Sequence, residues 1–194
     1  MKPTLIFISI CCLPLLNFYN HAPPETPGKA IAKVVKYENH DQDIERLVNR
    51  FYNTAKTEQQ KYGIPVSIKL GQAILESGKG KSKLVRTHNN WFAMKAFKKG
   101  VLPKNIKLLP KGKSERIHDD HKDDRFWSFH SAWDSWRYHS ELITTGAYEV
   151  CVRYNNKDYE GWAYCLKKVG YATDKNYTNK LVAVIENNEL QNLD

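Results

Sequence analysis

Glu76 is the carboxylate best placed to do chemistry. It falls in Gln72-Ala73-Ile74-Leu75-Glu76-Ser77-Gly78, at the end of an apolar, small-residue run that stops at a glycine. A carboxyl group serves as a general acid only if it still holds its proton near neutral pH, whereas an ordinary glutamate has a pKa of about 4.3. Burial against an apolar helix face and the negative end of a helix dipole both favour the neutral acid. Lys79, Lys81 and Lys83 follow closely and oppose that shift if their ammonium groups turn toward the carboxylate. The plainer alternative is an exposed helix-end glutamate paired with those lysines.

The elements that must hold this residue are mostly helical. Asp41 can cap a helix through roughly Lys61, in which Ile44, Leu47, Val48, Phe51, Tyr52 and Ala55 recur at helical spacing. Gly63 breaks the chain, and Pro65 suits the first turn of a second helix that carries Ile68, Gly71, Ala73, Ile74 and Leu75 up to Gly78. A short helix over 81–86 and an irregular segment over 87–95, with Trp91 and Phe92 buried, are expected next. From Val101 to Phe129 short runs broken by Pro103, Pro110 and Gly112 predict a small β-hairpin lobe. Ser131 can cap a helix from Ala132 to about Thr144. Two more follow, over about 158–169 and 175–189, with Gly170 ending the first and Thr173 or Asp174 capping the second.

The chain has 194 residues, 41% of them apolar and 12% aromatic, enough for one core. Residues 1–20, with Lys2 before an apolar run from Leu5 to Leu16, read as a signal peptide or membrane anchor, and the proline-bearing residues 21–40 as a linker to a domain over 41–194. The protein is therefore expected to be exported to the periplasm, cell envelope or cell exterior. Of the remaining cysteines, Cys151 and Cys165 either form a bridge or stay as two buried thiols, and neither shows the setting of a nucleophile. A net charge of +9 suits an acidic partner such as nucleic acid, anionic lipid or a carboxylate-bearing wall polymer. The basic stretch Lys98, Lys99, Lys104, Lys107, Lys111 and Lys113 could contact such a polymer or form a solvated face. His88, His118, His121, His130 and His139 form no compact ligand set, so neither metal nor cofactor is expected.

After Gln72–Gly78 come Gly80-Lys81-Ser82 and Asn89-Asn90-Trp91-Phe92-Ala93-Met94-Lys95. Then follow Phe126-Trp127-Ser128-Phe129, a segment from Ser135 to Leu142 with His139, Trp162-Ala163, and Leu166 to Tyr177 with Gly170-Tyr171-Ala172-Thr173-Asp174. In this order they resemble the bacterial peptidoglycan glucosaminidases, glycoside hydrolase family 73, over about 41–190. Two departures stand out: Ala93 replaces a usual glycine, and Trp127 a frequent arginine.

The resemblance implies a mainly α (α+β) fold, with a lysozyme-like helical lobe and a small β-hairpin lobe bordering the cleft. It implies hydrolysis of the bond after N-acetylglucosamine in peptidoglycan glycan strands, by a protein expected to act as a monomer, without nucleic acid as partner. Glu76 matches the general acid. The second carboxylate should come from the β-lobe, where Glu115 is the first candidate and Asp119 and Asp120 are rivals. Tyr171 matches a cleft tyrosine able to orient the substrate's 2-acetamido group, with Tyr177 as its substitute. Carboxyl groups roughly 6.5–9.5 Å apart indicate inversion and about 5–5.5 Å a retaining nucleophile, while a third route uses the acetamido group itself. Asn89, Asn90, Trp91, Asp120 and Tyr177 are candidate substrate contacts, although one asparagine at least is expected to organise a turn and most of Trp91, Trp133, Trp136 and Trp162 to lie in the core. A muramidase or lytic transglycosylase shares the fold and the single acid, and a non-catalytic wall-binding protein shares the cleft.

Overall fold

The computed structural model describes residues 36–96, 115–116 and 125–194. The expected leader, the basic stretch from Lys98 to Lys113, and Asp119 and Asp120 lie outside those residues.

Helix α1 (Gln42–Tyr62) begins where Asp41 accepts the amides of Asp43 and Ile44, and ends at Gly63, whose left-handed backbone no β-carbon obstructs. Its apolar side buries Ile44, Leu47, Val48, Phe51 and Ala55. Packing starts earlier than the expected linker boundary: the Tyr37 hydroxyl donates to the Asn188 carbonyl, and Asn49 clasps the Tyr37 backbone.

Helix α2 (Val66–Ser77) is buried on every face from Val66 to Ile74, as its composition dictates. Pro65 precedes it and supplies no side-chain cap. The acceptor comes instead from 127 residues away, where the Asp194 carboxylate takes both the Ser67 amide and the Ser67 hydroxyl. Gly71 lets the segment bearing Ile185 approach closely, since a β-carbon at Gly71 would sit 2.9 Å from that side chain.

Helix α3 (Lys83–His88), capped by Ser82, starts two residues later than expected because Gly78, Lys79 and Gly80 all take positive φ first. Strands β1 (Glu115–Arg116) and β2 (Arg125–Phe126) pair antiparallel, with Glu115 opposite Phe126. On its other side β2 bridges residues 94–96, through Lys95 opposite Phe126 and the bonds Ala96 amide to Arg125 carbonyl and Trp127 amide to Met94 carbonyl. The hairpin expected between 101 and 129 is thereby tied to the segment after α3.

Helices α4 (Ala132–Leu142), α5 (Tyr159–Lys168) and α6 (Tyr177–Asn187) complete the lobe. Ser131 and Asp158 cap the first two. Helix α6 begins two residues beyond the expected start, because Asp174 spends its carboxylate on the Asn176 amide and on Lys180 and neither it nor Thr173 caps the helix. A 3-10 helix (Gly146–Arg153), without a clear signal in the sequence, lies between α4 and α5. Cys151 on it is bonded to Cys165 on α5, which settles the cysteine alternative.

Two stability changes follow. Replacing Cys151 and Cys165 together by serine opens a ~15-residue loop and should lower the unfolding free energy by roughly 3 kcal/mol in urea titrations under oxidising conditions. Ala93 sits at φ +46, where an L side chain is strained. Ala93→Gly should therefore raise stability by about 0.5–1 kcal/mol despite glycine's larger unfolded-state entropy.

Candidate active site

Glu76 occupies the last turn of α2, half-buried, and no hydrogen bond or ion pair engages its carboxyl among the described residues. Burial pushes its pKa up to about 7. The lysines that threatened this shift are drawn elsewhere. Lys79 pairs with Asp41 and Lys81 with Asp43, both at the start of α1, while Lys83 is exposed. The acidic first turn of α1 thus caps its own helix and also holds cationic side chains away from the acid.

The turn after Glu76 explains the motif around it. Ser77 donates its hydroxyl to the Ala73 carbonyl and accepts the Gly80 amide, and the Lys79 and Ser82 amides close onto Ile74 and Ser77. Gly78 and Gly80 take φ +56 and +83, and a β-carbon at Gly80 would stand 3.2 Å from the Trp91 ring. Serine, glycine, glycine and serine are each demanded by backbone direction, hydrogen bonding or close approach.

Gln72 lies one turn before Glu76 on the same helix face, and Lys69 one turn earlier still. The Gln72 amide donates to the Tyr177 hydroxyl at 2.8 Å. Tyr171 leans on Tyr177 with ring centroids 5.5 Å apart, and Tyr148 from the 3-10 helix leans on Tyr171 at 6.2 Å. Burial first, then neighbouring charges that include Glu76, hold the phenols of Tyr171 and Tyr177 well above their usual value, so both stay neutral. Tyr171 is placed by the end of α5, where Gly170 at φ +90 turns the chain and Tyr171 donates its amide to Leu166. Lys167 fixes the loop through the Ala172 and Thr173 carbonyls. A neutral carboxylic acid beside two neutral phenols can donate a proton and orient polar groups without bearing charge.

The other expected contacts are placed differently. Asn90 is fully buried: its amide donates to Met94 and Trp127 and its oxygen accepts the Met94 amide, which locks the segment after α3 onto β2. Asn89, left-handed at the end of α3, donates to the Phe129 and His130 carbonyls. The amide groups of both asparagines thus bond to the scaffold, and Trp91 is core, 5% exposed and edge-on to Phe51. Trp136 and Trp162 are buried too, whereas Trp133 is exposed beneath the Arg137 guanidinium. Tyr177 reaches Gln72 from a buried position. Glu115 stands on the rung that joins β1, β2 and Lys95.

Lys69 and His139 are the site-linked groups whose roles the sequence reading missed. Lys69 is fully buried, with Nζ 3.1 Å from the Trp136 carbonyl and 2.8 Å from Nδ1 of His139. His139 Nε2 is 3.0 Å from the Tyr171 hydroxyl. The available signal was a lysine inside an otherwise apolar helix, two turns before the acid.

Because the folded chain binds the Glu76 proton more tightly than the unfolded chain does, this group's stabilising contribution is complete below the ordinary carboxyl range and is lost as pH rises through about 7. Glu76→Gln removes that loss. The variant should be more stable than the parent by roughly 2 kcal/mol at about pH 9, allowing for partial exposure, and little different at about pH 4, in urea titrations.

The sequence profile of the mannosyl-glycoprotein endo-beta-N-acetylglucosaminidase family matches residues 52–190. The exo-glucosaminidase LytG of Bacillus subtilis (strain 168) is 27% identical over 174 residues, which cover 84% of this chain and 59% of LytG, so the chain spans under two thirds of that relative. Solved structures share the fold. The catalytic domain of the autolysin Auto from Listeria monocytogenes superposes with a TM-score of 0.61 at 24% identity, over 81% of this chain and 90% of that one. A mutant of the peptidoglycan hydrolase from Sphingomonas sp. A1 gives 0.59 at 25%, over 76% and 93%. The glycoside hydrolase domain of FlgJ from Salmonella typhimurium gives 0.55 at 24%, over 77% and 90%. Because that family match spans most of the chain, from residue 52 to residue 190, the chain belongs to the mannosyl-glycoprotein endo-beta-N-acetylglucosaminidase family of glycoside hydrolases.

Proposed function

We propose that this protein is an exported peptidoglycan hydrolase that cleaves the β-1,4 bond after N-acetylglucosamine within glycan strands. The observation that carries the reading is a partly buried glutamic acid at the exit of an internal helix, near the Tyr171–Tyr177 cluster, with burial pushing its pKa up to about 7. Glu76 protonates the departing glycosidic oxygen as the bond lengthens and positive charge grows on the sugar. Tyr171 donates its hydroxyl proton to the carbonyl oxygen of the substrate's acetamido group, holding it where it can stabilise that charge. Glu115, on the strand tied to the segment after α3, is the carboxylate we assign to the opposite face. As the leaving sugar departs, Glu115 takes the proton of the water that attacks from that face.

Export is supported by the apolar run after Lys2 and by the Cys151–Cys165 bridge, a bond that persists in oxidising compartments. The basic net charge complements the carboxylates of wall peptides. Similarity to LytG, an exo-glucosaminidase, favours a second mode, attack from a chain end.

Mass spectrometry of borohydride-reduced products from purified peptidoglycan tests bond and mode together. Oligosaccharides ending in reduced N-acetylglucosamine, absent with Glu76→Gln, are the expected result, with activity declining as pH rises past about 7. Single sugars alone would indicate the exo mode. Reduced N-acetylmuramic ends would transfer the protein to the muramidases, anhydro ends to the transglycosylases, and binding without release to the wall-binding proteins.

A further inference from the structure

We propose that Lys69 and His139 are positioning residues that fix the direction of the Tyr171 hydroxyl, with Lys69 selecting the His139 tautomer that leaves the phenolic proton free for the cleft. The inference rests on the reading of Tyr171 as a substrate-orienting donor.

The argument is one of donors and acceptors. An ammonium group has three N–H donors and no lone pair. Lys69 meets the Trp136 carbonyl, which can only accept, and Nδ1 of His139. Against an ammonium, Nδ1 must therefore be the bare, accepting nitrogen. A neutral imidazole then carries its hydrogen on Nε2, which faces the Tyr171 oxygen at 3.0 Å. Tyr171 accepts that bond, and its own proton remains to be given to substrate. The opposite tautomer would draw the phenolic proton back onto His139 and present only lone pairs to the cleft.

The surroundings hold each part in register. The His139 ring stacks on Phe92 with centroids 3.8 Å apart and planes 8° from parallel. The Lys69 ammonium lies over the faces of Phe92, at 4.3 Å, and Trp136, at 5.2 Å, contacts that favour the charged form in a dry site. Charged groups face Lys69 from two helices: Glu58 of α1, which favours the ammonium, and Arg137 of α4, which disfavours it. Burial outweighs Glu58 and lowers the Lys69 pKa to about 7, while burial and then the Lys69 charge keep His139 neutral. Below neutrality the pair is an ammonium and a neutral imidazole, the combination the argument needs. Lys69, Gln72 and Glu76 therefore form one stripe along α2 that orients Tyr171, orients Tyr177 and supplies the acid.

Nitrogen-15 NMR of the histidine-labelled full chain at about pH 5.5 reads the tautomer directly. His139 is assigned by its disappearance in His139→Gln. A proton on Nε2 and a bare Nδ1 are expected. A proton on Nδ1, or on both nitrogens, would overturn the proposal. This readout needs no substrate, so it stands apart from the choice of glycan bond. Kinetics on soluble glycan fragments supply the second arm. Lys69→Met should lower kcat about tenfold, the equivalent of one hydrogen bond, with KM little changed. The double variant with Tyr171→Phe should be no slower than Tyr171→Phe alone. Losses that multiply would show that Lys69 acts through the core and not through Tyr171, and would likewise overturn it.

Discussion

Helix α2 runs through the interior with α1, α5, α6 and a short 3-10 helix over Leu190–Leu193 packed around it, and the character of the site follows from that enclosure. Water is excluded along the helix and readmitted only near its end, where Glu76 emerges. The helix therefore supplies both the position of the carboxyl and the dry surroundings that keep its proton on. Enclosure in turn requires a helix with small and apolar residues on nearly all sides, which accounts for Gly71 against Ile185 and for Ala73. It also requires an acceptor for the leading amides from elsewhere in the chain, and Asp194 provides it.

A buried helix that carries polar side chains must find partners for them, because an unpaired donor or charge in a dry interior costs more than its packing returns. Lys69 finds Trp136 and His139, and Gln72 finds Tyr177. These partners come from α4 and the start of α6, so polar satisfaction of α2 aligns the surrounding elements with one another. Structural and chemical demands converge on the same side chains: the groups that make burial of α2 tolerable also touch the tyrosines beside the acid.

The margins of the site are built by local backbone rules instead. Three successive left-handed residues reverse the chain directly after α2, and Trp91 packs on the space that Gly80 leaves open. Asn90 then bonds both to its own turn and to Trp127, which joins that turn to β2 and so to the strand bearing Glu115. Asp41 and Asp43 extend the same logic to electrostatics, since each serves α1 while pairing with a lysine that would otherwise stabilise an ionised Glu76.

Helix positions, the caps at Asp41 and Ser131, and the prominence of Glu76 were legible in the sequence, because apolar spacing, capping residues and glycines act over a few positions. The acid's environment was legible only as a requirement. Whether Lys79 and Lys81 oppose or spare it depends on Asp41 and Asp43, which meet them only after α1 and α2 pack. Asn89, Asn90 and Trp91 have the right chemistry for sugar contact, yet tertiary bonds to Met94, Trp127 and Phe129 and packing on Phe51 spend it on the scaffold. The ladder holding β1 and the chain from Lys69 through His139 to Tyr171 join residues far apart in sequence. The sequence by itself determined where the α-helices form and which carboxyl group ends the buried helix, since those follow from local periodicity and composition. The tertiary structure decided which polar groups face the acid and which are consumed in holding it, because that depends on hydrogen bonds and burial made between distant segments.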